Sequence, residues 1–179
     1  SKFMVTLGCV SIIIFEFWNY PPLKVIDVSR VPAAYYWIKG QPGDFTIAEY
    51  PLDIEGPNEL YKFFQTIHQK KIINGTTPGT YAHQVAQSAT RLSEHTTTGL
   101  LRQMGVKFVL VHREKYLNSG LTSEEEELAM ISRNADLRLI KSFPLQECPT
   151  KEIMCVAKSG PVDVYELITP KVALAKTIQ

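Results

Sequence analysis

Three polar residues of this 179-residue chain stand where chemistry could be done: Glu49, Asn74 and His112. Each follows an apolar run that reads as a strand: Phe45-Thr46-Ile47-Ala48-Glu49-Tyr50, Ile72-Ile73-Asn74-Gly75, and Val106–His112 leading into Arg113. If these strands are parallel neighbours, a carboxylate, an amide and an imidazole converge beyond their C-terminal ends. That rim is where open α/β sheets bind ligands. His68 joins the group if the end of its helix folds back. Glu49, His68, Asn74, Gly75, His112 and Arg113 are therefore the candidate binding residues, and Glu49, His68 and His112 form a set suited to acid–base work. The competing reading is plain: strands end in polar residues because they must leave the core.

Other chemistries are poorly served. His68, His83, His95 and His112 show none of the i, i+3 or i, i+4 pairings by which helices hold metals, so no metal is expected. No Gly-x-Ser-x-Gly elbow, phosphate loop or dinucleotide fingerprint is present, and no cofactor is expected either. Gly75-Thr76-Thr77-Pro78-Gly79 has glycines but no lysine, and Pro78 removes an N–H that a phosphate cradle would use. A net charge of +1 with no basic stripe gives no footprint for nucleic acid. Asn74-Gly75-Thr76 matches an N-glycosylation acceptor, a pattern short enough to arise by chance. Of three cysteines, Cys148 and Cys155 flank a turn at Pro149–Lys151; they pair in an oxidising compartment or remain free thiols.

The elements that would position these residues alternate. A helix beginning near Ser29, with Pro32 in its first turn, buries Val31, Ala34, Tyr35 and Ile38 and ends at Gly40. Asn58 is placed to cap a second helix, whose Leu60, Phe63, Phe64 and Ile67 make an i, i+3, i+4, i+7 stripe ending in basic residues. Residues 76–90, rich in Thr, Gly and Gln, read as a long loop. A third helix spans about Ser93–Met104, Gly105 supplies its left-handed stop, and the near-continuous apolar run to His112 follows as a buried strand.

Thr122-Ser123-Glu124-Glu125 reads as a capping box, and the acidic run Glu124–Glu127 as a solvated first turn. Leu137–Phe143, Ile153–Lys158 and Val162–Ile168 read as strands with short connections, hence antiparallel neighbours, with Leu23–Val28 as a further short strand. The fold class is thus α/β: a mixed sheet whose parallel part is joined by helices in Rossmann-like layering, extended by a C-terminal antiparallel meander.

Phe3–Trp18 is apolar except for Glu16, and as a helix it would run roughly 24 Å, slightly short of a bilayer's hydrocarbon core. Lys2 lies at one end and Trp18 and Tyr20 at the other, which orients the segment with its C-terminal side outside the cytoplasm. Residues 1–20 are accordingly expected to be the end of a transmembrane helix, and 21–179 an α/β domain outside the cytoplasm. A buried core element is the alternative; a signal peptide fits poorly, because Glu-Phe-Trp-Asn-Tyr is no cleavage site.

The order of motifs carries a resemblance. Glu16-Phe17-Trp18 ends the apolar run. Pro32-Ala33-Ala34-Tyr35-Tyr36-Trp37 leads to Gln41-Pro42-Gly43-Asp44. Ala48-Glu49-Tyr50-Pro51, Ile67–Gly75 and Leu101–His112 complete the set. Over most of residues 12–117 this resembles the C-terminal end of large polytopic prokaryotic membrane proteins related to glycosyltransferases that use lipid-linked sugars. The resemblance implies an accessory extracytoplasmic domain gripping acceptor or lipid-linked glycan. The catalytic acids of such proteins lie in an early extracytoplasmic loop absent from this chain, and Glu49 does not correspond to them. Two other functions are open: an independent α/β hydrolase or transferase using Glu49, His68 and His112, or a purely structural interaction domain.

Overall fold

The structure, a computed structural model, describes residues 2–17, 26–27, 31–52, 57–75, 77–117, 122–144, 154–155 and 161–168. In chain order its elements begin with α1 (Lys2–Phe17), β1 (Ile26–Asp27), α2 (Ala33–Lys39), β2 (Thr46–Tyr50) and α3 (Pro57–His68). There follow β3 (Lys71–Ile72), α4 (Tyr81–Ser88), α5 (His95–Gln103), β4 (Val106–His112) and α6 (Arg113–Leu117). The last are α7 (Thr122–Ile131), β5 (Leu137–Phe143), β6 (Met154–Cys155) and β7 (Val162–Leu167).

Five strands form one mixed sheet in the order β3-β2-β4-β7-β5. β2 pairs in parallel with β3 on one side and β4 on the other, while β7 runs antiparallel to both β4 and β5. The α/β class with a parallel part and an antiparallel C-terminal part is what the apolar pattern predicts. The expected three-strand meander differs in detail. β6 leaves the sheet altogether and pairs in parallel with β1, and β7 inserts between β4 and β5. Two residues carry too little of a period-2 pattern to announce a partner from sequence, so chain proximity is a poor guide for such strands.

Helices cover both faces of the central strands β2, β4 and β7, which is why those strands are mostly apolar. On one face Ala34, Tyr35 and Ile38 of α2 and Phe64 of α3 pack on Phe45, Ile47, Phe108, Leu110 and Val164. On the other, Val85 and Ala86 of α4, Leu101 of α5 and Ile131 of α7 pack on Ala48, Val109, Val111 and Tyr165. Gly105 takes φ +71°, a value an L side chain resists, and so reverses the chain from α5 into β4.

Three local expectations are corrected. Residues 76–90 are not a long loop: Thr80 accepts from the His83 amide at 3.3 Å and starts α4. Asn58 is not a cap; it lies inside the first turn of α3, buried, with its side chain turned to Asn74. The acidic run is not wholly solvated either. Glu127 is buried and accepts from the Ser93 amide (2.8 Å), the Ser93 hydroxyl (2.7 Å) and Arg91 (3.3 Å), so α7 satisfies donors just ahead of α5. The Ser29 cap, the Trp18 and Tyr20 belt, the side chains of Thr122, Ser123, Cys148 and Cys155, and the tail from Pro170 lie outside the described residues.

A second tie holds α5 to the start of β5. Asp136 accepts from Thr98 Oγ1 at 2.6 Å, meets His95 Nδ1 at 2.7 Å and pairs with Arg102. The Thr98 hydrogen bond, then those from His95 and Arg102, hold its carboxyl down at about 2. The folded pKa is depressed, so this stabilisation is complete above the unfolded carboxylate range and is lost as pH falls from about 4 through 2. We expect Asp136→Asn to cost about 1–2 kcal/mol at neutral pH after allowance for solvent screening, and to flatten the fall in urea midpoint between those pH values. An unchanged acid limb in the variant would show that another group carries it.

Candidate functional site

Glu49 occupies the penultimate position of β2, the strand flanked on both sides by parallel partners, and therefore receives side chains from either neighbour. From β4, His112 Nε2 lies 3.0 Å from Glu49 Oε2; from α2 above, the Tyr35 hydroxyl donates to the same oxygen at 2.6 Å. From beyond β3, Asn74 pairs with the Glu49 backbone. Its Oδ1 accepts from the Glu49 N–H at 3.0 Å, and its Nδ2 donates to the Glu49 carbonyl at 2.7 Å and to Asn58 Oδ1 at 3.0 Å. β3 ends at Ile72, so the Asn74 amide extends the ladder by one step with a side chain in place of a strand.

Aromatic rings enclose the cluster. Tyr61 of α3 stacks on His112 at 4.7 Å between centroids, and Tyr35 stacks between Phe64 at 4.4 Å and His68 at 5.7 Å. His68, at the end of α3, accepts from the Lys70 N–H through Nδ1 at 3.0 Å. Burial, partly opposed by the Glu49 charge, holds the His68 pKa below the ordinary imidazole value, and burial followed by the Glu49 charge pushes Tyr35 well above the usual phenol. Tyr35 therefore remains a hydroxyl donor at neutral pH, and His68 an uncharged ring.

Four of the six candidate residues are thus brought together: Glu49, His68, Asn74 and His112. Gly75 adjoins them for a packing reason, since a Cβ there would come within 2.4 Å of the Ala82 Cβ on α4. Arg113 does not join. It leaves β4 on the opposite side, 3.7 Å from Asp163 Oδ2, and lines a separate groove with Tyr165 and α7. The Asn74 amide is buried and committed to two hydrogen bonds, so it does not serve as a glycosylation acceptor. Tyr35 and Asn58 belong to the cluster but read from sequence as core and cap, and Tyr61, which also belongs to it, lies outside the apolar stripe read for its helix. Their only signal was position, one or two helical turns from residues assigned to the sheet-facing side.

A carboxylate hydrogen-bonded to an imidazole is the kit of proton transfer, but an acid or base must come within about 2.6–3.2 Å of the proton it moves. Glu49 is 0 % exposed, and His68 and His112 are 1 % exposed each. Glu49 Oε1, His68 Nε2 and His112 Nδ1 have no hydrogen-bond partner among the described residues, and those residues contain no group of three or more His, Cys, Asp or Glu arranged to hold a metal. In this arrangement the cluster ties β2, β4, α2, α3 and the segment just after β3 together at one point, and its carboxylate and imidazoles are buried.

Comparison with known proteins finds a likeness of shape. No family model matches the chain, and no curated protein matches it in sequence. Among solved structures, the chain is similar to the C-terminal globular domain of oligosaccharyltransferase from Archaeoglobus fulgidus, with a TM-score of 0.44 and 10 % identity over 76 % of this chain and 95 % of that one.

Proposed function

We propose that this chain is a membrane-held accessory domain of a glycosyltransferase-like protein, with α1 embedded in the bilayer, the α/β body on the extracytoplasmic side, and a role in holding acceptor or lipid-linked glycan rather than in transferring it. One observation carries the reading. Met4, Val5, Leu7, Val10, Ile12, Ile13, Ile14 and Phe15 are all exposed, so α1 is apolar around its whole circumference and has no protein packed on it among the described residues. A helix apolar on every side belongs in a protein core or in lipid. By itself α1 has 16 residues, and among the described residues no helix is long and apolar enough to cross a membrane, so α1 is read as the outer part of a membrane-embedded helix. The enclosed Glu49–His112 pair supports an accessory role, because a reacting centre needs access.

The test is flotation of the full chain with neutral phosphatidylcholine vesicles. We expect the chain to float with the vesicles and to stay with them in high salt, since the attraction is apolar and not ionic. Ile13→Lys with Phe15→Lys should release it. Each lysine costs up to about 3 kcal/mol near the middle of a membrane helix, so the pair lowers partitioning by more than about a hundredfold. A parent chain that stays monodisperse and lipid-free would remove the membrane reading.

A further inference from the structure

Arg113, the candidate residue that the buried cluster leaves out, points to a second place on the molecule. α7 does not close fully over the outer strands. Glu125, Leu128, Ala129 and Ser132, spaced i, i+3, i+4, i+7, line one wall of a groove of about 390 Å³. The opposite wall comes from the sheet: Leu139 of β5 and Tyr165 of β7, which face each other in register, and Asp163 with Arg113 at the end of β4. The volume lies within the roughly 300–1,000 Å³ range of small-molecule sites.

The lining selects a class of ligand. Asp163 is buried and fixed: Oδ1 accepts from the Ser142 hydroxyl at 2.5 Å, while Oδ2 has Arg113 Nε at 3.7 Å, beyond hydrogen-bond length. Arg113 keeps 43 % of its side chain exposed, so its donors remain in reach of a ligand. Burial and then the Asp163 charge push the Tyr165 phenol upward, so its hydroxyl stays protonated. An anion would meet Asp163 and Glu125; a cation would meet Arg113. A neutral molecule with adjacent hydroxyl groups satisfies both, donating to the carboxylate and accepting from the guanidinium, while Leu128, Leu139 and Ala129 offer an apolar wall to the C–H face of a ring. Sugars have that combination.

We propose that the groove between α7 and the β5–β7 pair is a binding site for neutral sugar, with Asp163 and Arg113 as its polar anchors. The assignment rests on the glycan-holding role proposed above for the biological source of the sugar, and moves that role away from the Glu49 rim.

The test uses the full chain, isotope-labelled, in micelles of lauryldimethylamine oxide, a detergent without a sugar headgroup. Amide shifts are followed during titration with disaccharides of glucose, galactose, mannose and N-acetylglucosamine. At least one should shift amides of α7, Arg113 and β7 at concentrations up to about 10 mM. Asp163→Asn should weaken that binding by about tenfold or more, as loss of a charged hydrogen bond does. Ala129→Trp, at an exposed position that leaves the core untouched, should abolish it by filling the groove. The proposal is overturned if no disaccharide moves these amides, if the shifts survive Ala129→Trp, or if inorganic diphosphate or lysine methyl ester binds the groove more tightly than every sugar. Vesicle flotation reads α1 and not the groove, so failure of either reading is visible without the other.

Discussion

Glu49→Ala should cost the folded domain about 3–5 kcal/mol, among the largest losses any single side chain here would produce. The carboxylate is wholly buried and joins elements far apart in the chain, Tyr35 on α2 and His112 on β4. Its removal leaves a hydroxyl and an imidazole N–H without an acceptor in a space closed by aromatic rings, and opens a cavity besides. Glu49→Gln keeps the volume and one acceptor oxygen, and should cost about 1–2 kcal/mol. Urea unfolding followed by far-ultraviolet dichroism measures both, with the slope against urea unchanged if only stability has moved. An alanine variant within about 0.5 kcal/mol of the parent would mean that the cluster is hydrated and open, and would return Glu49 and His112 to the list of candidate catalysts.

Asn74→Ala is the second large effect, at about 2–4 kcal/mol. One side chain satisfies the N–H and the carbonyl of Glu49 and the carbonyl oxygen of the Asn58 side chain, all buried. Alanine leaves all three without a partner at the point where β3 has already ended. A local readout accompanies the global one: the Glu49 amide should exchange with solvent faster than its β2 neighbours, because its acceptor is gone while the β2–β4 ladder remains. Asn74→Asp should be worse at neutral pH, since a carboxylate would face the Glu49 carbonyl and Asn58 Oδ1 with no proton to offer. If the Glu49 amide keeps its protection in Asn74→Ala, the side-chain step in the ladder is not what holds β2 there.

How much of this could be read from residues alone depends on how each element earns its stability. β4 was legible because it is apolar along its length and Gly105 marks its start. α3 was legible from its stripe, although the buried side is rotated toward Tyr61 and His68, and Phe63 is exposed. α4 was not, because only Val85 and Ala86 face the core and its starting residue, Thr80, sits in a threonine-rich stretch that suits a loop equally well. The convergence of Glu49, Asn74 and His112 followed from the rule that parallel strands end together. Their burial did not, because what covers a strand end is decided by how far α2 and α3 reach across it, a matter of packing between distant segments. Glu127 and Asp163 were invisible for a related reason. A carboxylate in a charged run or on a strand gives no sign of its donor when that donor lies tens of residues away.

The strand order has a consequence in time. β4 and β5 lie on either side of β7, yet both precede it in the chain. During synthesis a nascent chain that has emerged as far as residue 143 presents two unfilled strand edges, one on β4 and one on β5, whose backbone N–H and C=O groups lack the partner that β7 supplies. Until residues 162–167 arrive, the only strands available to them belong to the wrong segment or to another molecule. The sheet is finished by insertion and not by addition at its border, so it is residues 162–167 that join its two halves.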